Sequence, residues 1–96
     1  MHVVTIAKGM SQGHHLCPGV PPVTGCSFVT VNHSPVCRVG DKLQVHGSIV
    51  MTPHQDTIAS GSSIFKIQGI PVAFVTSSTN MGDTLIQGDS LVDIKA

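Results

Sequence analysis

The sequence repeats itself, and this repeat limits the folds open to the chain more than any other feature. Residues 25–38, GCSFVTVNHSPVCR, align without a gap on residues 61–74, GSSIFKIQGIPVAF, at an offset of 36. A shortened third copy, GDSLVDI, covers residues 88–94 at a further offset of 27. Repeats of this period indicate supersecondary units that bury their apolar faces only against one another. Three such units in one chain predict a rough threefold axis.

Each copy is predicted to form a β-hairpin. A glycine begins the unit, a strand of β-branched residues follows, and a short turn leads to a proline and the return strand. Proline holds its φ at about −65° and lacks an N–H, which costs little at a sheet edge. Gly40-Asp41 and Gly82-Asp83 are expected to be the exits of the first two units. Residues 75–81, before the second exit, are expected to form a surface loop rich in Ser and Thr.

The composition favours strands and turns over helices. Ten glycines and six prolines interrupt the chain, and no window of about 11 residues keeps a helical stripe of apolar side chains. Six short apolar runs are the expected strands: Val3–Ala7, Phe28–Val31, Ile49–Met51, Ile64–Ile67, Val72–Val75 and Leu91–Ile94. The predicted fold is therefore all-β, with residues 1–96 forming a single domain.

The predicted core is thin. A chain of 96 residues buries about 60 to 65% of its unfolded surface, and only 3% of the residues here are aromatic. Small domains of this kind are held together by disulfides, a structural metal or a partner. Cys17, Cys26 and Cys37 are odd in number and irregular in spacing, so a complete disulfide framework is not expected. A metal ion or a protein partner is the predicted source of extra stability.

Charged residues are scarce, at 10% of the chain, and the net charge is zero with neutral histidines. Such a chain has no basic patch for nucleic acid or for an anionic membrane. A mean hydropathy of +0.29 is more easily explained if another protein covers part of the surface. The start MHVVTIAKGM lacks the features of a secretory signal, and no segment approaches the roughly 20 apolar residues of a membrane span. Synthesis and first folding are expected in the cytoplasm.

Histidines are enriched, with six in the chain, and four lie outside the repeated strands. Imidazole nitrogen and thiolate sulfur are the preferred ligands of zinc, and four protein ligands define a closed structural site. A set of three nitrogens and one sulfur is available from His14, Cys17, His46 and His54. His15 could replace His14, because both H-x-x-C and H-x-C can reach one metal ion from a loop.

The remaining histidines and cysteines are assigned structural places. His2 and His33 are expected to be solvated loop residues. Cys26 and Cys37 fall on strand positions equivalent to Ser62 and Ala73, and are expected to fill small core sites rather than to bind metal.

The repeated form resembles the PAAR-repeat family. The stretch Pro35-Val36-Cys37-Arg38 stands where the family has its Pro-Ala-Ala-Arg signature, and Val39-Gly40-Asp41 follows it. Pro71-Val72-Ala73-Phe74 is the second copy, and the resemblance covers about residues 8–94. The second copy departs from the family pattern in having Phe74 where the signature has Arg. His33 likewise occupies the position of the usual turn glycine.

The resemblance implies a small cone-shaped fold of short antiparallel hairpins with internal pseudo-threefold symmetry and a metal-pinned apex. In the family one structural zinc ion is bound at the tip by histidines and a cysteine. The corresponding residues here are His14 or His15, Cys17, His46 and His54.

The resemblance also implies a structural role and no enzymatic activity. Such a protein caps and sharpens the trimeric β-helical spike of a contractile phage tail or a type VI secretion system, with one tip per trimer. It lies at the tip of the virion baseplate or of the secretion apparatus, and it pierces the outer membrane of the target cell. Phe28, Ile64 and Leu91 occupy equivalent positions and are expected to divide between the core and the base that meets the spike.

Two other function classes remain as alternatives. A metalloenzyme would need an open coordination position and a general base, which five acidic residues and the lack of an HExxH motif make improbable. Arg38 with Asp41 is accordingly expected to make structural contacts and not to catalyse a reaction. A zinc-binding adaptor that recognises a soluble partner protein is the second alternative. The identity of the metal and the host machine, phage or bacterial, stay open at this stage.

Overall fold

The computed structural model describes residues 1–14, 17–48 and 51–93, with the backbone alone at residues 14, 17, 18, 46–48, 51 and 52. These residues form twelve short strands and no helix, so the described chain has no helix able to cross a membrane. The strands are β1 His2–Val3, β2 Met10–Ser11, β3 Gly13–His14, β4 Cys17–Pro18, β5 Cys26–Val31, β6 Ser34–Val36, β7 His46–Ser48, β8 Met51–His54, β9 Lys66–Ile67, β10 Ile70–Pro71, β11 Leu85–Gln87 and β12 Asp89–Asp93. All pairings are antiparallel and two-stranded. The all-β prediction is confirmed.

Two of the predicted hairpins form as expected and share one turn geometry. In the first unit, β5 and β6 are joined by Asn32 and His33, with φ of 51° and 64°. In the second unit, β9 and β10 are joined by Gln68 and Gly69, with φ of 51° and 80°. Positive φ at both central residues is the type I′ geometry, which matches the twist of hairpin strands. His33 therefore occupies the turn position of Gly69 and is exposed, as expected.

The third unit is completed by the beginning of the chain. Strand β12 pairs with β1, with Val3 opposite Asp89 and His2 opposite Asp93. His2 is exposed, as expected, but it lies in a strand and not in a loop, and its Nδ1 contacts the carboxylate of Asp93. The sequence His2-Val3-Val4-Thr5 thus stands where the other units have PVCR and PVAF.

Glycines at the start of the three units confirm this equivalence. A Cβ added to any of them would press on a carbonyl oxygen of the return strand. An added Cβ would lie 3.0 Å from the carbonyl oxygen of Val36 at Gly25, 2.8 Å from that of Val72 at Gly61, and 2.6 Å from that of Val3 at Gly88. Real Cβ atoms rarely or never approach so closely, so this close contact of two backbones requires glycine.

Each unit also contains the same bulge. In the first unit Cys26 lies opposite Val36 and Thr30 lies opposite Pro35, so three residues of β5 have no counterpart in β6. The third unit has the same shift between Asp89 and Asp93. In the second unit the amide of Ser62 donates to the carbonyl of Val72, 2.9 Å away, while Lys66 pairs with Pro71. A bulge pushes the unmatched residues out of the ladder.

A closed ring of three hydrogen bonds joins the units. The amide of Val4 donates to the carbonyl of Ala73 at 3.1 Å, that of Ala73 to Cys37 at 2.9 Å, and that of Cys37 to Val4 at 2.9 Å. The neighbouring backbone repeats this pattern in the bridges Thr5 to Val36, Arg38 to Val72 and Phe74 to Val3. Each unit therefore pairs with the next around a pseudo-threefold axis.

The exit turns correct one prediction from the sequence. In the first unit the amide of Asp41 donates to the carbonyl of Arg38 at 3.0 Å, and the amide of Arg38 donates to Asp41 Oδ2 at 2.7 Å. The second unit makes the same two contacts through Ser77 and Phe74, at 2.9 Å and 3.1 Å. The exit equivalent to Gly40-Asp41 is therefore Thr76-Ser77 and not Gly82-Asp83.

Residues 75–81 form the expected surface loop only in part, since Thr76, Asn80 and Met81 are exposed whereas two other residues are buried. Ser77 and Thr79 are buried. The hydroxyl of Ser77 accepts the amide of Phe74, and that of Thr79 accepts the amide of Asp83. The segment also pairs with the rest of the chain, since Ile58 bridges to Thr79 and Ser78 to Thr84. Its Ser and Thr residues thus satisfy backbone donors inside the fold.

The bounds of the predicted strands were partly wrong. Val72–Val75 is not a continuous strand, because the chain pairs there only at isolated bridges and then enters the exit turn. Seven strands lie outside the six predicted runs; β6 and β10 are the return strands of the predicted hairpins, and the other five were not predicted: β2, β3, β4, β7 and β11. These are two- and three-residue segments whose pairing depends on tertiary contacts and not on an apolar run. Ile49 and Ile94 lie outside the described residues.

The core consists of two apolar clusters along the axis. The first joins the hairpins and contains Val3, Cys26, Val36, Ile67, Val72 and Phe74, with Val29, Val31 and Val92 against it. The second contains the ring residues and reaches into the segments beyond them: Val4, Val20, Cys37, Leu43, Ile58, Ala73 and Leu85, with Ile6 against it. The side of the molecule formed by the bulged hairpins is called the base below.

Three segments beyond the exit turns leave the second cluster on the side away from the base, and we call them the apical segments. They are residues 11–20, 43–56 and 79–83. In each one the first amide donates to the last carbonyl, Ser11 to Val20 at 3.0 Å, Leu43 to Asp56 at 3.0 Å and Thr79 to Asp83 at 2.9 Å. The first two segments contain a hairpin each, β3 with β4 and β7 with β8, whereas the third is a tight turn.

Candidate functional site

The backbone brings the predicted metal ligands onto two neighbouring hairpins. In the first apical segment His14 lies opposite Cys17 across β3 and β4. In the second segment His46 lies opposite His54 across β7 and β8, and β4 contacts β7. His15 and the side chains of His14, Cys17 and His46 lie outside the described part of the structure. Two cross-strand pairs of ligand-type residues are thus positioned in adjacent hairpins.

His54 is the predicted ligand whose side chain is described. Its Nε2 lies 3.1 Å from Oδ1 of Asp56, and the imidazole is only 17% exposed. Asp56 is fully buried. Histidines that bind metal in proteins commonly donate their second ring N–H to a carboxylate, which fixes the ring and the tautomer. His54 has a buried carboxylate beside its Nε2, although the contact does not have the geometry of a hydrogen bond.

The third apical segment contributes side chains that hold the other two. Thr79 Oγ1 donates to Oδ2 of Asp56 at 3.2 Å. Asp83 Oδ1 accepts from the amide of Gly13 at 3.0 Å and from that of Thr84 at 2.8 Å. Because Gly13 precedes His14, the carboxylate of Asp83 fixes the backbone of the first ligand hairpin.

These supporting residues were not found from the sequence. Gly82-Asp83 was assigned to an exit turn, and Asp56 and Thr79 carry no motif of their own. One signal was available, because Asp56 follows His54 by two residues and could have been considered as its carboxylate partner. Thr79 could not have been paired with Asp56 without the tertiary structure.

The donor set fits a tetrahedral structural metal. Histidine nitrogen and cysteine thiolate suit zinc, and His54 lies beside the buried carboxylate of Asp56. Among the side chains that the structure describes, no three from His, Cys, Asp and Glu converge on a common point. That finding includes only one of the five predicted ligands, since the other four have no described side chain.

The two remaining cysteines are core residues. Cys26 and Cys37 are buried free thiols. Burial raises the pKa of Cys37 to about 12, the charge of Asp41 adds to this effect and Arg38 opposes it. Cys37 therefore stays a neutral thiol, whose Sγ lies 3.5 Å from the carbonyl of Thr24, and neutral thiols are poor metal ligands.

Arg38 and Asp41 make the structural contacts that were expected of them. Arg38 Nε lies 3.4 Å from Asp41 Oδ2, which also accepts the amide of Arg38. Oδ1 of Asp41 accepts from the hydroxyl of Thr24 at 2.9 Å, and the same hydroxyl accepts the amide of Lys42. Asp41 thus ties the exit turn to the connection between the first apical segment and β5.

At the base, the equivalent apolar residues of the three units all face outward. Phe28 is 63% exposed, Ile64 is 71% exposed and Leu91 is 66% exposed. The expectation that they divide between core and base is wrong, because each lies in the bulge of its unit and is pushed out of the ladder. Three large apolar side chains are therefore presented around the pseudo-threefold axis.

The comparison with known families agrees with this geometry. A family model described as the PAAR motif matches residues 12–87, which include the first two units, the second and third apical segments and all of the first apical segment except residue 11. The chain belongs to the PAAR-motif family. PAAR proteins are structural spike-tip proteins of contractile injection systems. No curated protein matches this PAAR chain.

The structure shows what the PAAR signature does in this chain. The stretch from Pro35 to Arg38 forms the end of a hairpin, one member of the central hydrogen-bond ring and the start of an exit turn. The first unit thus joins an outward-facing bulge at the base to the second apical segment, which contains His46 and His54. Phe74 replaces the arginine of the second copy without changing these backbone contacts.

Proposed function

We propose that this PAAR protein caps the trimeric β-helical spike of a contractile phage tail or a type VI secretion system, with one tip bound to each trimer. The observation that supports this most strongly is the trio of Phe28, Ile64 and Leu91, exposed at equivalent positions of the three units. A single chain with this internal symmetry can offer a matching contact to each subunit of a true trimer.

Apolar contact is the main source of the proposed affinity. Burial of a large apolar side chain contributes about 1.5–3 kcal/mol, so three buried on docking would supply a substantial part of the binding free energy. Large exposed apolar side chains grouped on one face are typical of a protein interaction site. The edges of the three hairpins can add main-chain hydrogen bonds to the strands of the spike.

At the apex we propose one structural zinc ion, held by His14 or His15 together with Cys17, His46 and His54. A closed metal site can replace an apolar core in a region too narrow to contain one. The zinc would join the two ligand hairpins, which adds rigidity where the tip meets the target membrane. The protein would thus act mechanically at the end of the baseplate or secretion apparatus.

The docking proposal is tested with the spike protein of the same injection system. We expect the wild-type chain to bind the trimer at one tip per three subunits, as measured by light scattering of the purified complex. Leu91→Asp should weaken binding at least about tenfold, because it places a charge in the apolar contact. Ile86→Asp is the matched control, since Ile86 is 47% exposed in β11, which belongs to none of the three hairpins of the base.

Equal effects of the two substitutions, or absence of any complex, would contradict the proposed docking face. Binding to a soluble protein in place of the spike would support the adaptor alternative.

Elemental analysis of the purified protein tests the metal site. We expect one zinc ion per chain in the wild type, loss of that zinc in His54→Ala, and retention in His33→Ala, whose ring lies in an exposed turn. A His54→Ala protein with full zinc content would overturn the proposed ligand set.

A further inference from the structure

We propose that the residue after the first glycine of each unit determines how firmly that unit holds its apolar side chain on the base. Ser62 and Asp89 fix the contacts of the second and third units before docking, whereas Cys26 leaves the contact of the first unit to adapt when the spike binds. The inference rests on the proposed docking to the spike, and it adds which residues position the three contacts.

The three positions are equivalent in the fold. Cys26, Ser62 and Asp89 each follow the glycine that begins a unit, and all three are buried at the start of a bulge. The exposed apolar residue of each unit comes two residues later. Short polar side chains accept backbone amides at this distance along the chain. The residue at the start of each bulge can therefore hold the backbone that presents the apolar side chain.

The second unit uses a hydroxyl at this position. Ser62 Oγ accepts the amide of Ile64 at 3.2 Å and that of Phe65 at 2.8 Å. Residues of a bulge are unmatched in the ladder, so their amides need an acceptor other than the partner strand. Ser62 supplies it and thereby fixes the backbone from which Ile64 points outward.

The third unit uses a carboxylate. Asp89 Oδ1 accepts the amide of Leu91 at 2.9 Å, and Oδ2 accepts from Nδ2 of Asn32 at 3.1 Å. Asn32 lies in the turn of the first hairpin, so the carboxylate is itself held by a neighbouring unit. Hydrogen bonds to an ionised acceptor are stronger than those between neutral groups. Leu91 is thus held on the base at least as firmly as Ile64.

The first unit has a thiol in the same place. Cys26 is a buried free cysteine, and sulfur accepts hydrogen bonds only weakly. The first bulge is anchored instead through the side chain of Val29, which packs against the first apolar cluster. The backbone at Phe28 therefore has less support than that at Ile64 or Leu91.

This difference gives the three contacts separate tasks in docking. A contact that is fixed beforehand loses little conformational entropy on binding, whereas an adaptable contact loses more but can adjust its fit. Ile64 and Leu91 would set the position of the tip on the spike, and Phe28, the largest of the three side chains, would adjust to the third subunit. A tip with only approximate threefold symmetry can meet an exact trimer in this way.

Amide hydrogen exchange of the wild-type protein, followed by NMR, tests the difference between the units. After correction for intrinsic exchange rates, we expect the amide of Phe28 to exchange at least about tenfold faster than those of Ile64 and Leu91. Binding of the spike trimer should slow the exchange of Phe28 more than that of the other two. Equal exchange of the three amides in the free protein would overturn the inference and leave the docking proposal intact. Absence of any complex with the spike would contradict both.

The role of Ser62 is tested by the affinity for the spike trimer, measured by titration calorimetry. Ser62→Ala should weaken binding about three- to tenfold, because the amides of Ile64 and Phe65 lose their acceptor. Ser77→Ala is the matched control, since Ser77 is also a buried serine whose hydroxyl accepts a backbone amide, that of Phe74, but it lies in an exit turn. We expect its affinity within about twofold of wild type, even if the two variants are equally destabilised. Equal losses of affinity in the two variants would overturn the positioning role.

Cys26→Ser tests the same position in the opposite direction. A hydroxyl in place of the thiol gives the first bulge the acceptor that the second unit has. We expect the exchange of the Phe28 amide to slow at least about threefold, and the affinity for the spike to rise about two- to threefold. Unchanged exchange at Phe28 would show that this position does not control the bulge.

Discussion

The amide of Cys37 donates a 2.9 Å hydrogen bond to the carbonyl of Val4, and this contact belongs to a ring in which Ala73 is the third member. All three residues are completely buried. Because the ring closes on itself, each unit is fixed by both of the others, and none has a free edge at the axis. This arrangement explains how hairpins of two to six residues form a stable structure with so little apolar core.

The ring makes the axis sensitive to side-chain volume. Ala73→Leu inserts three carbon atoms beside Val4 and Cys37 and should lower the free energy of unfolding by about 1–3 kcal/mol, the usual cost of overpacking. Denaturation in urea measures this change. Ala59→Leu, at an exposed position after the second apical segment, should leave the free energy of unfolding within about 0.5 kcal/mol of the wild-type value. Equal stabilities of the two variants would show that the axis has spare room.

The first two hairpins could be predicted because each is continuous in sequence and shows a glycine, a strand and a proline at fixed spacing. The third could not be completed from the sequence, since its two strands lie at opposite ends of the chain and β1 has His2 where the others have proline. The second exit was misplaced for a related reason. Threonine is a rare choice for positive φ, and Thr76 takes the place that glycine has in the first unit.

The candidate sites were predictable only in part. Ligand chemistry, the enrichment in histidine and the family resemblance selected His14 or His15 with Cys17, His46 and His54, and this ligand set stays a prediction. The support of His54 by Asp56 and Thr79 depends on contacts between separate apical segments, which spacing in the sequence does not reveal. The exposure of Ile64 and its equivalents depends on the bulges, and these were not visible as a break in the apolar runs.

Cys37 should make stability depend on alkaline pH. Burial raises its pKa from the ordinary value of 9.0 to about 12 in the folded protein. Since the unfolded chain releases this proton first, the contribution of the thiol is complete below about pH 9 and is lost as pH rises towards 12. We expect the free energy of unfolding to fall less steeply over this pH range in Cys37→Ala. Alanine is chosen because Ala73 occupies the equivalent position in the second unit. Identical pH profiles for the two proteins would contradict the buried neutral thiol.

At equivalent positions of the two exit turns, we expect removal of a glycine to lower stability and introduction of a glycine to raise it. Gly40 has φ of 94° and open space around its Cα, so Gly40→Ala should cost about 1–2 kcal/mol through backbone strain alone. Thr76 has φ of 91°, and Thr76→Gly should raise the free energy of unfolding by about 0.5–1 kcal/mol after the entropy of glycine is considered. Thermal and urea denaturation of both variants check this. Destabilisation by Thr76→Gly would mean that its side-chain contact with Met1 outweighs the strain.

The symmetry of the base restricts the charge of its proposed partner. Thr30, Lys66 and Asp93 are exposed at equivalent positions, opposite Pro35, Pro71 and His2 in their respective units. A homotrimeric spike presents one residue type to all three positions. A charge on that residue would be attracted by one unit and repelled by another, so it would give no net stabilisation.

We therefore expect the spike to be uncharged at its matching position, and the charges of the tip to contribute little to docking. The contact of Asp93 with His2 already lowers the pKa of this carboxyl and satisfies it within the tip. The double variant Lys66→Thr with Asp93→Thr should bind the spike within about threefold of wild type, and raising salt from about 0.05 to 0.5 M should change the affinity equally little. Titration calorimetry measures both effects. A tenfold loss in the double variant, with Leu91→Asp still damaging, would show that a charged contact selects one rotational setting and that the partner is not a symmetric trimer.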